Sequence, residues 1–196
     1  MIKIGILGDI GSGKSFVAKQ FGYPVFNADN EVRKIYKKDK KCYTKLNKVI
    51  PKYILSFPIN KKEIAKSILS NQKNLKKIIK IVHPMIRARM NKFIKKNKKK
   101  KIIVLDVPLL LESKITKKND ILVFVGAKKN KIIENLKKRK NYNLKMIKIL
   151  KKFQLPLDYK KKKSDFIIKN NFKIKPVKKS VKLLKKKILY KWKKLF

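Results

Sequence analysis

Cysteine occurs once in the 196 residues, at Cys42, and histidine once, at His83. A lone cysteine excludes an intramolecular disulfide, and one Cys with one His cannot assemble a thiolate–imidazole zinc site. A reducing cytosol suits such a chain, which must be held together by its core rather than by covalent staples. Long apolar runs are missing as well. The opening M-I-K-I-G-I-L-G-D breaks into Gly and Asp after a few residues, too short for a signal-peptide core, and no later run is long enough to cross a bilayer. A soluble protein without a membrane partner is expected.

Negative charge is scarce too, with 11 acidic residues against 58 basic ones for a formal charge of +47, and only Arg33, Arg87, Arg89 and Arg139 are arginine. That balance ordinarily points to nucleic acid or an anionic membrane. Binding to a phosphate backbone, however, also favours arginine, whose fork fits phosphate oxygens. Here the lysines are spread along the chain. Ile and Asn are abundant while Gly, Ala and Arg are few, as codon drift in an AT-rich genome would produce. The charge therefore reads as compositional drift, with a selected polyanion-binding surface as the alternative, and no specific nucleic-acid partner is expected.

What is present is a set of five short apolar runs: Ile2 to Leu7, Pro24 to Phe26, Ile102 to Val107, Ile121 to Val125 and Phe166 to Ile168. They have the length and β-branched content of buried parallel strands. Between them lie Lys-rich segments with apolar residues at helical spacing, such as Ile78, Ile79, Val82 and Ile86, or Ile132, Ile133, Leu136 and Lys140. Strands alternating with helices predict a parallel α/β sheet. The stretch from about Glu31 to Lys100 carries no strong strand signal and reads as a helical insertion, of the kind that binds a second substrate. From Pro176 on, Val177, Val181, Leu184, Ile188, Trp192 and Leu195 form one stripe of a helix, read as packed on the sheet rather than as a basic membrane-surface helix. The runs Asn97 to Lys101 and Lys160 to Lys163 read as solvated loops or helix faces.

Gly8 to Ser15 spell G-D-I-G-S-G-K-S, which satisfies G-x-x-x-x-G-K-S between an apolar strand and a segment able to open a helix. In such a P-loop, glycines let backbone N–H groups turn onto phosphate oxygens. The helix N-terminus adds partial positive charge, Lys14 neutralises the β- and γ-phosphates, and Ser15 ligates Mg²⁺. Phosphoryl transfer from ATP is the chemistry implied. Acidic residues placed after strands matter in so basic a chain. Asp106 ends the third run, where a carboxylate can hold Mg²⁺ through water, or can cap the following turn. Asp29 follows the second run, where it can orient or deprotonate an acceptor hydroxyl, or cap a helix beginning near Glu31. His83, followed by Pro84, is read as a turn or a substrate hydrogen bond at a helix interruption rather than as a general base. Arg87 and Arg89 are substrate contacts or solvated helix residues.

The ordered set of strings resembles the dephospho-coenzyme A kinase family over nearly the whole length. It comprises G-x-I-G-S-G-K-S, A-D-x-x-x-R at Ala28 to Arg33, H-P-x-I-R at His83 to Arg87 and D-V-P-L-L-x-E at Asp106 to Glu112. Arg139, Gln154-x-Pro156, Lys160 and S-D-F-I-I-x-N at Ser164 to Asn170 follow by spacing. The resemblance implies a nucleoside-monophosphate-kinase-like fold, an α/β five-stranded parallel sheet flanked by helices, with a helical substrate subdomain and a lid. The core would span about residues 1–29, 101–135 and 163–196, the insertion about 30–100 and the lid about 136–162.

The activity implied is ATP-dependent, Mg²⁺-assisted phosphorylation of the ribose 3′-hydroxyl of dephospho-coenzyme A by a monomer. By matching position, Asp29 would be the catalytic carboxylate, and Lys14 and Arg139 would stabilise the transferring phosphoryl group. Arg33, His83 and Arg87 would receive the coenzyme A moiety. Gly8, Gly11, Ser12, Gly13, Lys14, Ser15 and Phe16 would hold the nucleotide phosphates, with Asn170 in an adenine-proximal loop and Ser15 and Asp106 at the metal. A kinase for another nucleotide or small metabolite, or a basic RNA-binding protein, are the competing functions. The chain departs from the family at Asp9 and Asn171, where Gly is common, at Phe16, where Thr is common, and in a lid poor in arginine. Asn171 tolerates the left-handed backbone angles that a glycine would supply.

Overall fold

Each of the five apolar runs is a strand in the computed structural model, which describes residues 1–113, 115–117, 119–139 and 141–193. They are β1 (Ile2–Gly8), β2 (Val25–Asn27), β3 (Ile102–Asp106), β4 (Ile121–Gly126) and β5 (Phe166–Lys169), paired in one parallel sheet of order β2-β3-β1-β4-β5. The helices are α1 (Lys14–Gln20), α2 (Ala28–Lys38), α3 (Lys40–Val49), α4 (Lys61–Ser70), α5 (Lys73–Lys96), α6 (Lys129–Lys137), α7 (Leu144–Lys152), α8 (Leu157–Lys162) and α9 (Ile174–Lys193). Lys140 and Leu195, invoked above for helical periodicity, lie outside the described residues.

The chain divides into two compact units. The first comprises Met1–Asn27, Asn97–Tyr142 and Gln154–Phe196, and holds the whole sheet. Its central strands are near-continuous Ile and Val because helices cover them, so alternation has no use there. Ile2, Ile4, Ile6, Ile102, Val104, Val123 and Val125 pack with Val17 and Ala18 of α1, with Phe21 at its C-cap, and with Val177, Val181, Leu184 and Ile188 of α9. The stripe read from Pro176 onward is thus the inner face of α9. Burying each of the Val, Leu, Ile and Phe side chains among them stabilises the fold by about 1.5–3 kcal/mol.

The second unit comprises Ala28–Lys96 and Asn143–Phe153, all helix and connection, with α7 packed on α4. Its longest element, α5, buries Leu75, Ile78, Val82, Ile86 and Met90 along one side. The expected interruption at His83-Pro84 is absent, and Pro84 lies inside a continuous 24-residue helix. Proline removes one helical hydrogen bond, but the buried stripe runs through both sides of that position and holds the two halves in line. Glu31 of α2 accepts from Arg89 of α5 at 3.1 Å and from Lys34 at 2.6 Å. Burial raises the Glu31 pKa, but the bonds from Lys34 and Arg89 outweigh it and hold the carboxyl below its ordinary 4.5.

Lys160 corrects a reading made from composition. It is 1% exposed, with Nζ 2.7 Å from Glu112 Oε1. Glu112 Oε1 also accepts from the backbone N–H of Leu155 at 2.9 Å. The lysine lies in a basic run, but its partner sits 48 positions earlier, beyond the reach of local pattern.

Candidate active site

The phosphate loop forms where β1 runs out. Gly8 has φ 143°, and a β-carbon there would lie 2.5 Å from the Val125 carbonyl oxygen of the neighbouring strand. Glycine is the residue that makes this exit. The loop closes through Ser12 N–H to Asp9 O at 3.2 Å, and α1 begins when Val17 N–H donates to Gly13 O at 3.0 Å. Because Gly13 is the N-cap, no side chain caps the first turn. Its N–H groups are donors that an anion can take. Gly11 and Ser12 are buried in the loop wall, while Phe16 packs against the core cluster from α1.

Lys14 Nζ donates to the carbonyl oxygens of Gly8 at 3.1 Å and Asp9 at 2.8 Å, so its charge lies over the loop. Asp9 directs Oδ1 to the N–H of Ile10 at 2.7 Å, engaging its own loop. Ser15 Oγ donates to Asp106 Oδ2 at 2.5 Å, joining the start of α1 to the end of β3. Asp106 is 3% exposed. One hydroxyl and one carboxylate are hard oxygen donors, the kind that Mg²⁺ takes when water and phosphate oxygens complete its shell. Among the described residues no group of three or more His, Cys, Asp or Glu could hold a metal unaided.

Asn170, just beyond β5, lies under the loop and is 3% exposed. Its Nδ2 donates to Ser12 O at 2.8 Å, and its Oδ1 accepts from Phe172 N–H at 2.9 Å. The left-handed residue of this connection is Phe172, with φ 63°, rather than Asn171. Asn171 instead uses Oδ1 to accept from Lys173 N–H at 3.1 Å. Arg139 is exposed just after α6, in the first unit, and its carbonyl accepts from Tyr142 N–H at 2.9 Å. Of the segment 136–162, Asn143–Phe153, which carries α7, falls in the second unit.

The remaining candidates belong to the second unit. Helix α2 starts at Ala28, so Asp29 is exposed in the first turn, not an N-cap of a helix starting near Glu31. A carboxylate there is favoured by the helix dipole. Arg33 is exposed one turn on, and its Nη2 donates to Asn30 Oδ1. Lys61, at the start of α4, feels both: burial and the Arg33 charge lower its pKa, while Asp29 opposes them. His83 is half-buried on α5, with Arg87 exposed one turn on. Burial first, then the Arg87 charge, holds the imidazole pKa below its ordinary 6.5. Sequence reasoning passed over Lys61, one lysine among many, and Asn27, whose Nδ2 donates to Asp106 Oδ2 and, at 3.3 Å, to Ser15 Oγ. Only strand pairing could have pointed to Asn27.

Comparison with known proteins bears on what this arrangement serves. The family model described as Dephospho-CoA kinase matches residues 2–176. A dephospho-CoA kinase of Wolbachia pipientis wMel is 37% identical over 170 residues, covering 84% of this chain and 87% of that protein. One from Bacillus cereus is 31% identical over 195 residues, covering 95% and 96%. The solved dephospho-CoA kinase of Campylobacter jejuni superposes with a TM-score of 0.66 at 22% identity, covering 95% of this chain and 96% of that one, and shares its fold.

Proposed function

The chain belongs to the dephospho-CoA kinase family, and from that premise we propose that it moves the γ-phosphoryl group of ATP onto the ribose 3′-hydroxyl of dephospho-coenzyme A, releasing ADP and coenzyme A. The observation that carries the donor half is the loop Gly8 to Ser15 with Ser15 Oγ bonded to Asp106. Its N–H groups and Lys14 grip the β- and γ-phosphates and neutralise charge as the bond to the leaving oxygen breaks. Mg²⁺ held by Ser15 and Asp106 would supply further charge neutralisation across the phosphates.

On the acceptor side, Asp29 takes the proton of the 3′-hydroxyl as its oxygen bonds to phosphorus. Arg33, His83 and Arg87 bind the coenzyme A moiety, and Arg139 meets the charge on the transferring group. The segment 136–162 covers the reaction and keeps water from competing as acceptor. The connection at Asn170 lies beside the adenine. The protein works as a cytoplasmic monomer on small molecules, without a nucleic-acid partner. Among the described residues no helix is long and apolar enough to cross a membrane.

Purified protein incubated with ATP, Mg²⁺ and dephospho-coenzyme A tests the reading. ADP release coupled to coenzyme A formation is expected. Turnover no higher than that of Lys14→Ala, or equal ADP release without dephospho-coenzyme A, would overturn it.

A further inference from the structure

Asn27 is the last residue of β2 and the register partner of Asp106, the last residue of β3. Its Nδ2 donates to Asp106 Oδ2 and lies 3.3 Å from Ser15 Oγ. Ser15 Oγ donates to the same Asp106 oxygen at 2.5 Å. Three side chains from β2, β3 and α1 therefore close a triangle around one carboxylate oxygen. Two of them are the metal-binding pair of the reading above. The third has no part in it.

We propose that Asn27 is a positioning residue of the divalent-cation site, fixing the Asp106 carboxylate toward Ser15 and setting the charge that the cation meets. A donor on a carboxylate oxygen fixes its orientation. Groups that orient metal ligands in this way typically matter by about 10- to 100-fold in metal affinity. The carboxamide is also neutral. With Asn27 in place the triangle carries one negative charge, so the protein alone holds a divalent cation weakly and the cation arrives with the nucleotide phosphates. A carboxylate at the same place would offer a further hard oxygen donor beside Asp106 and draw the cation to the nucleotide-free protein.

This rests on the assignment of Ser15 and Asp106 to the metal, and the test reads binding rather than turnover. ATP affinity is measured calorimetrically in Mg²⁺ and in EDTA, and Mn²⁺ binding to the nucleotide-free protein by electron paramagnetic resonance. For Asn27→Ala, the gain in ATP affinity conferred by Mg²⁺ shrinks about tenfold, while affinity in EDTA stays within about twofold of wild type. For Asn27→Asp, Mn²⁺ binds the nucleotide-free protein about tenfold more tightly.

Equal losses in Mg²⁺ and EDTA would mean that Asn27 merely shapes the loop and would overturn the proposal. So would an undiminished Mg²⁺ gain in Asn27→Ala, or unchanged Mn²⁺ affinity in Asn27→Asp. Thermal unfolding reports whether each variant folds, and Asn27→Asp decides alone if the alanine variant does not. A wild-type chain that binds Mg·ATP but leaves dephospho-coenzyme A unphosphorylated would overturn the substrate assignment and not this one.

Discussion

A β-carbon on Gly13 would sit 2.2 Å from Nδ2 of Asn170, the same carboxamide that donates to the Ser12 carbonyl oxygen at 2.8 Å. The phosphate loop and the connection after β5 are cut to each other's shape, and φ at Gly13 is 84°. Two penalties therefore meet in Gly13→Ala. Backbone strain costs about 1–3 kcal/mol, equivalent to about 5- to 150-fold in ATP affinity if the loop must adopt this form to bind. The clash with Asn170 adds to it. Calorimetry should find ATP binding weakened in Gly13→Ala and partly recovered in Gly13→Ala with Asn170→Gly. Full recovery would refute the strain component, and no recovery would refute the steric one.

The buried Lys160–Glu112 pair makes a second prediction. Removing the cation by Lys160→Met leaves Glu112 uncompensated, a loss of about 3–5 kcal/mol. Combining it with Glu112→Leu should restore most of that stability, since neither charge is then left alone. Urea unfolding of the two single variants and the double variant measures the coupling. Additive losses would show that the pair is not one unit.

His83 gives a third, in pH. Its folded pKa lies below 6.5, so above that value both folded and unfolded forms are neutral and the group contributes nothing to stability. As pH falls through 6.5 the unfolded chain binds the proton first, and the folded state loses ground until the folded pKa is passed. Wild-type stability should decline over that window and His83→Gln should decline less. Identical slopes in denaturant unfolding at several pH values would contradict the assignment.

Asp29→Asn separates the acceptor chemistry from the donor grip. If Asp29 takes the acceptor proton, kcat should drop by about 10²- to 10⁴-fold, while ATP affinity in Mg²⁺ is retained. A loss confined to the KM for dephospho-coenzyme A would make Asp29 a binding group and not the base.

The strands were legible because Ile and Val crowd the central positions, and the phosphate loop because its glycine and lysine spacing admits few other structures. Asn27 was not, since asparagine is common in this chain and its meaning depends on register with Asp106, 79 positions away. Lys160 was read as solvated because a lysine in a lysine run looks like its neighbours until Glu112 is beside it. Pro84 looked like an interruption because the local penalty is visible in sequence and the stripe from Leu75 to Met90 that outweighs it acts only once packed. At the connection after β5, the left-handed conformation fell on Phe172 and not on the more tolerant Asn171.

The strand order also dictates a timetable for synthesis. β1 lies at the centre of the sheet, yet Ile2 pairs with Ile102 and Ile4 with Ile121. On the ribosome this strand is therefore made before the helical stretch Ala28–Lys96 and must wait for β3 and β4 before it has a partner. The helices of that stretch contact one another, with Glu31 of α2 meeting Arg89 of α5, across separations shorter than that between Ile2 and Ile102, and they can form first because a shorter loop is less costly to close. A chain stalled after Lys96 carries an unpaired Ile-rich strand, open to association with other chains.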